Sequence, residues 1–236
     1  MNKEMSDYFH EHGYIIVRNF IDPQMALFLY EYSKMRVYAM SLKEVYDPQL
    51  YNKDWDGSFG EGQVGNAYHC YGDPVMETLL YLTTTKVQEY TRLNLVPTYT
   101  YWRFYEKGDN LFRHVDRPSC EISGTLCLGY DVSNVEDKSY SWPMWVKSLK
   151  TGEEIPGFAN PGDIILYKGC IVEHWREVFL GLNHTQVFMH FNDANGRYKQ
   201  QSNIPRTGKD ELSVGKFDGR VALGVPAKFK APPEAN

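Results

Sequence analysis

The sequence lacks several features that mark large classes of protein. None of its apolar runs reaches the roughly 20 residues that a membrane-spanning helix needs. Lys and Arg, at 25, do not outnumber Asp and Glu, at 30, and a net charge of −5 argues against a basic face for nucleic acid. The glycine-rich stretch 54–66 has no Gly-Lys-Ser/Thr, so it is not a phosphate-binding loop. We therefore expect neither a membrane nor a nucleic-acid partner.

Cysteine is scarce and is not spaced for metal binding. The four cysteines include no Cys-x-x-Cys pair, which argues against a structural zinc site. The N-terminal segment MNKEMSDYFHEHGY has no apolar stretch of the kind found in secretory signal peptides. We expect reduced thiols and a cytoplasmic protein, because disulfides persist mainly in oxidising compartments.

Residues 1–96 are predicted to form a mainly helical support. Asp22-Pro23 and Asp73-Pro74 each combine an N-cap residue with a proline suited to the first helical turn. After the first of these pairs, apolar residues recur with a period near 3.6, and this stripe is predicted to pack in the core. The stripe comprises Met25, Phe28, Leu29, Tyr32, Met35 and Tyr38.

Residues 97–202 are predicted to form a strand-rich core. Short runs rich in β-branched and aromatic residues, such as TYTYWRFY and HTQVFMHF, alternate with turn sequences such as EKGD and NPGD. This pattern predicts a β-sandwich or barrel within a single domain that spans 1–236. Residues 203–236 are predicted to be a C-terminal extension, loosely ordered at its end. The stretch 54–66 is predicted to be a surface loop or a flap over a pocket.

Histidine and aspartate residues indicate a metal site. His114 and Asp116 are separated by one residue, so on an extended chain both side chains point to the same side. Two histidines and one carboxylate on one face of the metal are typical of non-heme Fe(II) oxygenases. The candidates for the third ligand are His174, His184 and His190. Spacing favours His174, which follows a buried strand and a bend, while His190 is predicted to be a pocket-wall residue.

Two linked motifs resemble those of the 2-oxoglutarate/Fe(II)-dependent dioxygenase superfamily, in particular its prolyl-hydroxylase-like branch. YEKGDNLFRHVD is similar to the family segment that carries the first histidine and the aspartate, and PGDIILYKGCIVEHWREVFLGLNHTQVFMHF is similar to the family's closing segment. The resemblance covers residues 97–192. It implies an α+β fold, mainly β, with a cupin-like double-stranded β-helix (jelly-roll) core buttressed by N-terminal helices. It also implies Fe(II) bound by His114, Asp116 and His174.

The resemblance further implies a site for 2-oxoglutarate. In the family a basic residue on the last core strand binds the distal carboxylate, but here His184 stands where Arg or Lys is usual. Arg176 and Arg103 are the alternative anchors, although Arg176 could instead pair with a neighbouring glutamate. Tyr105 matches the family tyrosine that hydrogen-bonds 2-oxoglutarate. Strand alternation places Thr125 on the polar side of its strand, where we expect it to line the pocket.

Taken together, these motifs predict an enzyme that hydroxylates an unactivated C–H bond while converting 2-oxoglutarate and O2 to succinate and CO2. The implied cofactors are Fe(II) and 2-oxoglutarate, with ascorbate as a reductant. Prolyl peptides and small metabolites are the expected substrates. Two alternatives stay open at this point: a non-catalytic jelly-roll that binds a ligand such as a sugar or peptide, and a cupin-type metalloenzyme that does not use 2-oxoglutarate.

Overall fold

The computed structural model describes residues 2–52, 56–61 and 64–198. Its helices are α1 (Asn2–His12), α2 (Pro23–Tyr46) and α3 (Pro74–Thr91), with a short 3-10 turn at Pro118–Cys120. Its strands are β1 (Tyr14–Val17), β2 (Ser58–Glu61), β3 (Val64–Tyr71), β4 (Leu95–Glu106), β5 (Leu111–His114), β6 (Ile122–Asp131), β7 (Met144–Lys147), β8 (Glu154–Gly157), β9 (Ile164–Tyr167), β10 (His174–Arg176) and β11 (Asn183–Asp193). None of the described helices is long and apolar enough to cross a bilayer.

The strands form two antiparallel sheets. The major sheet has the order β1-β9-β6-β11-β4-β3-β2, and the minor sheet has the order β5-β10-β7-β8. Helices α2 and α3 pack against strands of the major sheet. The structure confirms the predicted mainly β fold, a double-sheet jelly-roll with flanking helices. Three strands of the major sheet, β1 to β3, come from the segment 1–96 that was expected to be helical support.

Strand β11 lies at the centre of the major sheet, between β6 and β4. Its side chains alternate between two faces, as the pleat requires. Val187 and Met189 join the apolar core that lies under the helices. His184, Gln186 and His190 alternate with them and are also buried. The sheet therefore has an apolar outer face and a face with buried polar groups, which lies between the two sheets.

Helix α2 begins where the sequence predicts, but it buries a different face. The Asp22 side chain accepts a hydrogen bond from the Gln24 backbone N–H at 2.7 Å and so caps the helix. The predicted core stripe was wrong for most of its members: Phe28, Met35 and Tyr38 are 60% exposed or more. The residues that are buried are Ala26, Leu29, Tyr30, Ser33 and Met40.

The reason for this shift lies in two small side chains. Ala26 and Ser33 are fully buried, and the Ser33 hydroxyl lies 2.9 Å from the Thr185 hydroxyl on β11. Small residues let a helix lie close to a sheet, whereas the bulky neighbouring stripe would hold it away. The apolar period is therefore correct for a helix but does not identify the face that packs.

The stretch 54–66 is only partly a loop. Its described part includes β2 and the start of β3, which pair as a hairpin with Phe59 opposite Tyr68. The expected surface loop was therefore wrong for these residues, which form strands. Gly57 and Gly60 have φ of +82° and +76°, a backbone conformation that favours glycine, so the glycines reflect hairpin geometry. Residues 53–55 and 62–63, and the predicted extension 203–236, lie outside the described residues.

The two helix caps differ in burial, and this difference gives a stability prediction. Asp73 is buried, receives the Val75 N–H at 2.9 Å and accepts the Tyr32 hydroxyl at 2.7 Å. Asp73→Ala is expected to lower the free energy of unfolding by about 3 kcal/mol, because buried donors lose a charged partner. Asp22→Ala, at an exposed cap, should cost about 1 kcal/mol. Urea denaturation measures both, and equal losses would contradict the assigned role of Asp73.

Candidate metal centre and adjoining pocket

The two sheets bring three metal-binding side chains together. His114 ends β5 and His174 begins β10, and the two residues are directly opposite each other across the strand pair. Asp116 follows β5, and its Oδ1 atom lies 3.7 Å from the Nε2 atom of each histidine. One donor atom from each residue lies within 4.8 Å of the others. The structure thus brings together the three predicted ligands.

Backbone carbonyls orient both imidazole rings. His114 Nδ1 donates to the Phe112 carbonyl at 2.7 Å, and His174 Nδ1 donates to the Val172 carbonyl at 2.9 Å. A ring nitrogen that faces a carbonyl must carry the proton, so in a neutral ring the lone pair is on Nε2, the nitrogen that faces Asp116. Burial lowers the pKa of His174, which keeps this ring in the neutral form that binds metals.

Asp116 is held as a carboxylate. Burial acts to raise its pKa, but the neighbouring histidines and a hydrogen bond from Ser123 lower the pKa overall. The Ser123 hydroxyl lies 2.9 Å from Oδ2, and the Asp116 backbone N–H donates to the Gly169 carbonyl at 2.8 Å. One carboxylate oxygen is therefore fixed by the protein while the other faces the two histidines.

The donor set fits Fe(II). Two neutral imidazoles and one carboxylate suit this ion, and three protein ligands leave further positions for other groups. The described residues contain a second group, formed by Asp116, Cys120 and His190. Burial raises the pKa of the Cys120 thiol to about 12, and a protonated thiol is a poor ligand. The group with His114 and His174 is therefore the better metal centre.

The predicted cosubstrate residues all lie between the two sheets. Each of the five is buried, with no more than 4% of its surface exposed. They come from four different strands and are Arg103 and Tyr105 on β4, Thr125 on β6, Arg176 on β10 and His184 on β11. The fold thus gathers residues that are up to 81 positions apart, from Arg103 to His184, into one buried region.

Arg176 is a buried cation with unused hydrogen-bond donors. Its Nη1 donates to the Trp142 carbonyl at 3.1 Å, and its guanidinium lies 4.7 Å from the centre of the Trp142 ring. Within the described part of the chain, Nε and Nη2 have no hydrogen-bond partner. The alternative ion pair with Glu173 or Glu177 does not form: Glu173 pairs with Lys147, and Glu177 accepts from Trp175.

His184 is buried near Arg176 but is not a cation. Burial, and then the charge of Arg176, hold the pKa of His184 well below its usual range, so the imidazole is neutral. Its Nδ1 accepts a hydrogen bond from the Gln186 side chain at 3.1 Å, and Gln186 in turn accepts the Thr125 hydroxyl at 2.8 Å. A neutral ring with its proton on Nε2 can donate one hydrogen bond but cannot form an ion pair.

Arg103 and Tyr105 share one face of β4, because they are two residues apart on the strand. The Arg103 guanidinium lies 4.8 Å from the centre of the Tyr101 ring and 5.4 Å from that of Phe188. Its Nη1 lies 3.3 Å from the Tyr105 hydroxyl oxygen. The Tyr105 ring meets Trp142 edge-on at 4.9 Å. Tyr105 therefore lies between Arg103 and Trp142, the tryptophan beside Arg176.

Sequence reasoning missed three residues that shape this region. Gln186 bridges Thr125 and His184, Trp142 packs against the Arg176 guanidinium, and Gly169 approaches Asp116 closely. The two-residue alternation from His184 could have found Gln186. No pattern marks the other two, because their roles depend on contacts between distant segments.

Comparison with known proteins identifies the fold through structure and not through sequence. The chain matches no protein-family model, and no curated protein matches significantly. A Pseudomonas putida prolyl-4-hydroxylase is similar, with a TM-score of 0.61 and 14% identity over 82% of this chain and 99% of that one. The epimerase SnoN of nogalamycin biosynthesis, in complex with Fe3+, alpha ketoglutarate and nogalamycin RO, is also similar. It has a TM-score of 0.60 and 11% identity, over 89% of this chain and 93% of that one.

A third similar structure is HygX from Streptomyces hygroscopicus, with nickel and 2-oxoglutarate bound. It has a TM-score of 0.56 and 10% identity, over 83% of this chain and 88% of that one. These similar structures span nearly the whole described chain, so the jelly-roll is shared as a complete unit. At identities this low the similarity shows the fold, and the chemistry must be argued from the site itself.

Proposed function

We propose that this protein is an Fe(II)- and 2-oxoglutarate-dependent oxygenase that hydroxylates its substrate. The observation that carries the proposal is the group of His114, Asp116 and His174 at the strand ends, each histidine oriented by a backbone carbonyl. The similar structures that contain Fe3+ or nickel together with the same 2-oxo acid support it. The buried, partly unpaired Arg176 supports the cosubstrate assignment.

The three ligands would hold the metal without a change of tautomer. His114 and His174 already present their Nε2 lone pairs, and Asp116 presents Oδ1. When bound, Fe(II) and 2-oxoglutarate would supply the oxidation of an unactivated C–H bond, with O2 consumed and succinate and CO2 released. The protein's part is to bind and orient these groups and to keep water out of the space between the sheets.

Arg176 is the residue we assign to the distal carboxylate of 2-oxoglutarate. A carboxylate accepts well from two guanidinium N–H groups, and Nε and Nη2 are the two donors that Arg176 has to offer. His174 and Arg176 are two residues apart on β10, so both side chains point between the sheets. Tyr105, Thr125, His184 and Arg103 then line the space around the ligand.

Anaerobic titration with Fe(II) and then 2-oxoglutarate tests the proposal. We expect a visible charge-transfer band that needs both additions, and succinate formation when air is admitted. Iron binding with no effect of 2-oxoglutarate would favour a cupin-type metalloenzyme. Folded protein that binds neither would favour a non-catalytic ligand-binding jelly-roll. Ascorbate is expected to prolong turnover by keeping the metal reduced.

For the substrate, we propose a prolyl peptide first and a small metabolite second. The similarity to a prolyl-4-hydroxylase supports the peptide, and the similarity to SnoN, whose complex includes nogalamycin RO, supports a small molecule. Measuring which class of compound stimulates succinate formation above the uncoupled rate distinguishes the two. We propose a cytoplasmic location, in keeping with the small number of cysteines in the sequence.

A further inference from the structure

The two oxygens of the Asp116 carboxylate have different surroundings. Oδ1 faces His114 and His174 at 3.7 Å each. Oδ2 faces the opposite side, where the Ser123 hydroxyl lies at 2.9 Å. A free carboxylate can rotate and offer either oxygen or both to a metal. Here a neutral partner holds one oxygen, which fixes the direction of the other.

The Ser123 hydroxyl is in turn held by His190. The Ser123 Oγ atom lies 2.9 Å from His190 Nδ1 and 3.2 Å from the Cys120 carbonyl. A hydroxyl has one proton, and an ionised carboxylate can only accept. If Ser123 donates to Asp116, then His190 donates from Nδ1 to Ser123. The result is a chain of two hydrogen bonds that runs from His190 through Ser123 to Asp116.

Gly169 closes the space behind the same oxygen. A Cβ atom at this position would lie 2.5 Å from Asp116 Oδ2, 2.2 Å from the Cys120 carbonyl oxygen and 2.8 Å from Ser123 Oγ. The Gly169 backbone cannot move away freely, because its carbonyl accepts the Asp116 N–H and its N–H donates to the Glu121 carbonyl. Glycine is therefore required here for close packing against a carboxylate oxygen.

Asp116 belongs to two sets of donor atoms that could bind a metal. One set includes His114 and His174, and the other includes Cys120 and His190. His190 Nδ1 is occupied by Ser123, and its ring lies 4.7 Å from that of Tyr99. Cys120 Sγ lies 3.0 Å from the Tyr99 hydroxyl. Ser123, which holds Asp116, therefore also engages His190, a side chain that could compete for the metal, while Tyr99 engages Cys120.

We propose that Ser123, His190 and Gly169 form a positioning cradle that holds Asp116 as a one-oxygen ligand and directs the metal to His114 and His174. This inference rests on the proposed function. It gives His190 a definite role, since this residue orients a metal ligand through Ser123 without contacting the metal. Side chains that orient a metal ligand without contacting the metal typically contribute 10–100-fold to metal affinity.

The test uses Co(II) binding to the full-length protein without 2-oxoglutarate, followed by the visible absorption of the bound ion. Ser123→Ala is expected to weaken Co(II) affinity roughly 10–100-fold and to change the visible spectrum. The matched control is Ser33→Ala, which also removes a buried hydroxyl with two hydrogen-bond contacts, on the opposite side of the major sheet. It should leave both the affinity and the spectrum as in the wild type.

Two variants of His190 separate positioning from packing. His190→Asn keeps an N–H donor near the position of Nδ1 and should retain most of the Co(II) affinity, whereas His190→Leu should behave like Ser123→Ala. Wild-type affinity and spectrum in both Ser123→Ala and His190→Leu would overturn the cradle. Failure of the wild type itself to bind Co(II) would instead overturn the proposed function, so the two failures are distinguishable. Circular dichroism establishes that each variant is folded.

Discussion

Asp116→Ala is expected to reduce both Fe(II) binding and succinate formation to background. The carboxylate supplies the one anionic donor among the three residues of the proposed metal centre. Removing a metal ligand should lower metal affinity by more than the roughly 100-fold lost when a hydrogen-bond partner of a ligand is removed. Metal content after anaerobic loading and succinate formation under air measure the two effects. His174→Ala is expected to give the same result.

The matched control for this substitution is Asp137→Ala. Asp137 is a carboxylate in an exposed turn, where it accepts from the Ser139 backbone and hydroxyl. Its removal should change neither metal content nor turnover. If His174→Ala retained iron that was then lost in a Cys120 or His190 variant, the metal would belong to the neighbouring donor group of Asp116, Cys120 and His190, and the proposed ligand set would be wrong.

Arg176→Met is expected to raise the Kd for 2-oxoglutarate about 100-fold while leaving metal affinity nearly unchanged. Loss of a buried charged partner costs about 3 kcal/mol, and each 1.4 kcal/mol is a factor of ten. Calorimetric titration of the Co(II)-loaded protein under anaerobic conditions measures the affinity. The Kd of Arg176→Lys should lie between those of the wild type and the methionine variant. An ammonium keeps the positive charge but lacks the two parallel N–H donors that a guanidinium offers to a carboxylate.

The same substitution separates a binding role from a structural one. Without ligand, Arg176 is a buried charge with two unpaired donors, so Met should leave the urea midpoint unchanged or raise it. His184→Asn is the companion variant and should change 2-oxoglutarate affinity less than tenfold, because a neutral ring contributes at most a hydrogen bond. A large loss of stability in Arg176→Met with unchanged affinity would show that the guanidinium only supports the fold.

Much of the site could be predicted because its ligands come from two short segments with regular geometry. On an extended chain His114 and Asp116 point to the same side, because they are two residues apart. The turn before His174 places this residue on the neighbouring strand, directly opposite His114. Alternation also placed Thr125 on the polar side of its strand, and its hydroxyl contacts Gln186 there. The same rule places Arg176 on the side of His174 and not on that of Glu173 and Glu177, which argues against the alternative ion pair.

The rest depends on contacts that no local pattern records. The buried face of α2 is set by Ala26 and Ser33, whose small size allows close approach to β11. The need for glycine at position 169 arises from atoms of Asp116, Cys120 and Ser123, all far away in sequence. Likewise, the neutral state of His184 follows from burial beside Arg176, which only the assembled sheets create.

The position of β11 has a consequence for the order in which the protein is built. This strand fills the centre of the major sheet, yet it is the last described strand to be synthesised, and β1 pairs with β9 across most of the chain. Such long-range pairings close large loops and slow folding. We expect the nascent chain to remain without a completed sheet until β11 inserts between β4 and β6. We expect iron to bind after this step, because His190 on β11 contacts Ser123, the hydrogen-bond partner of Asp116.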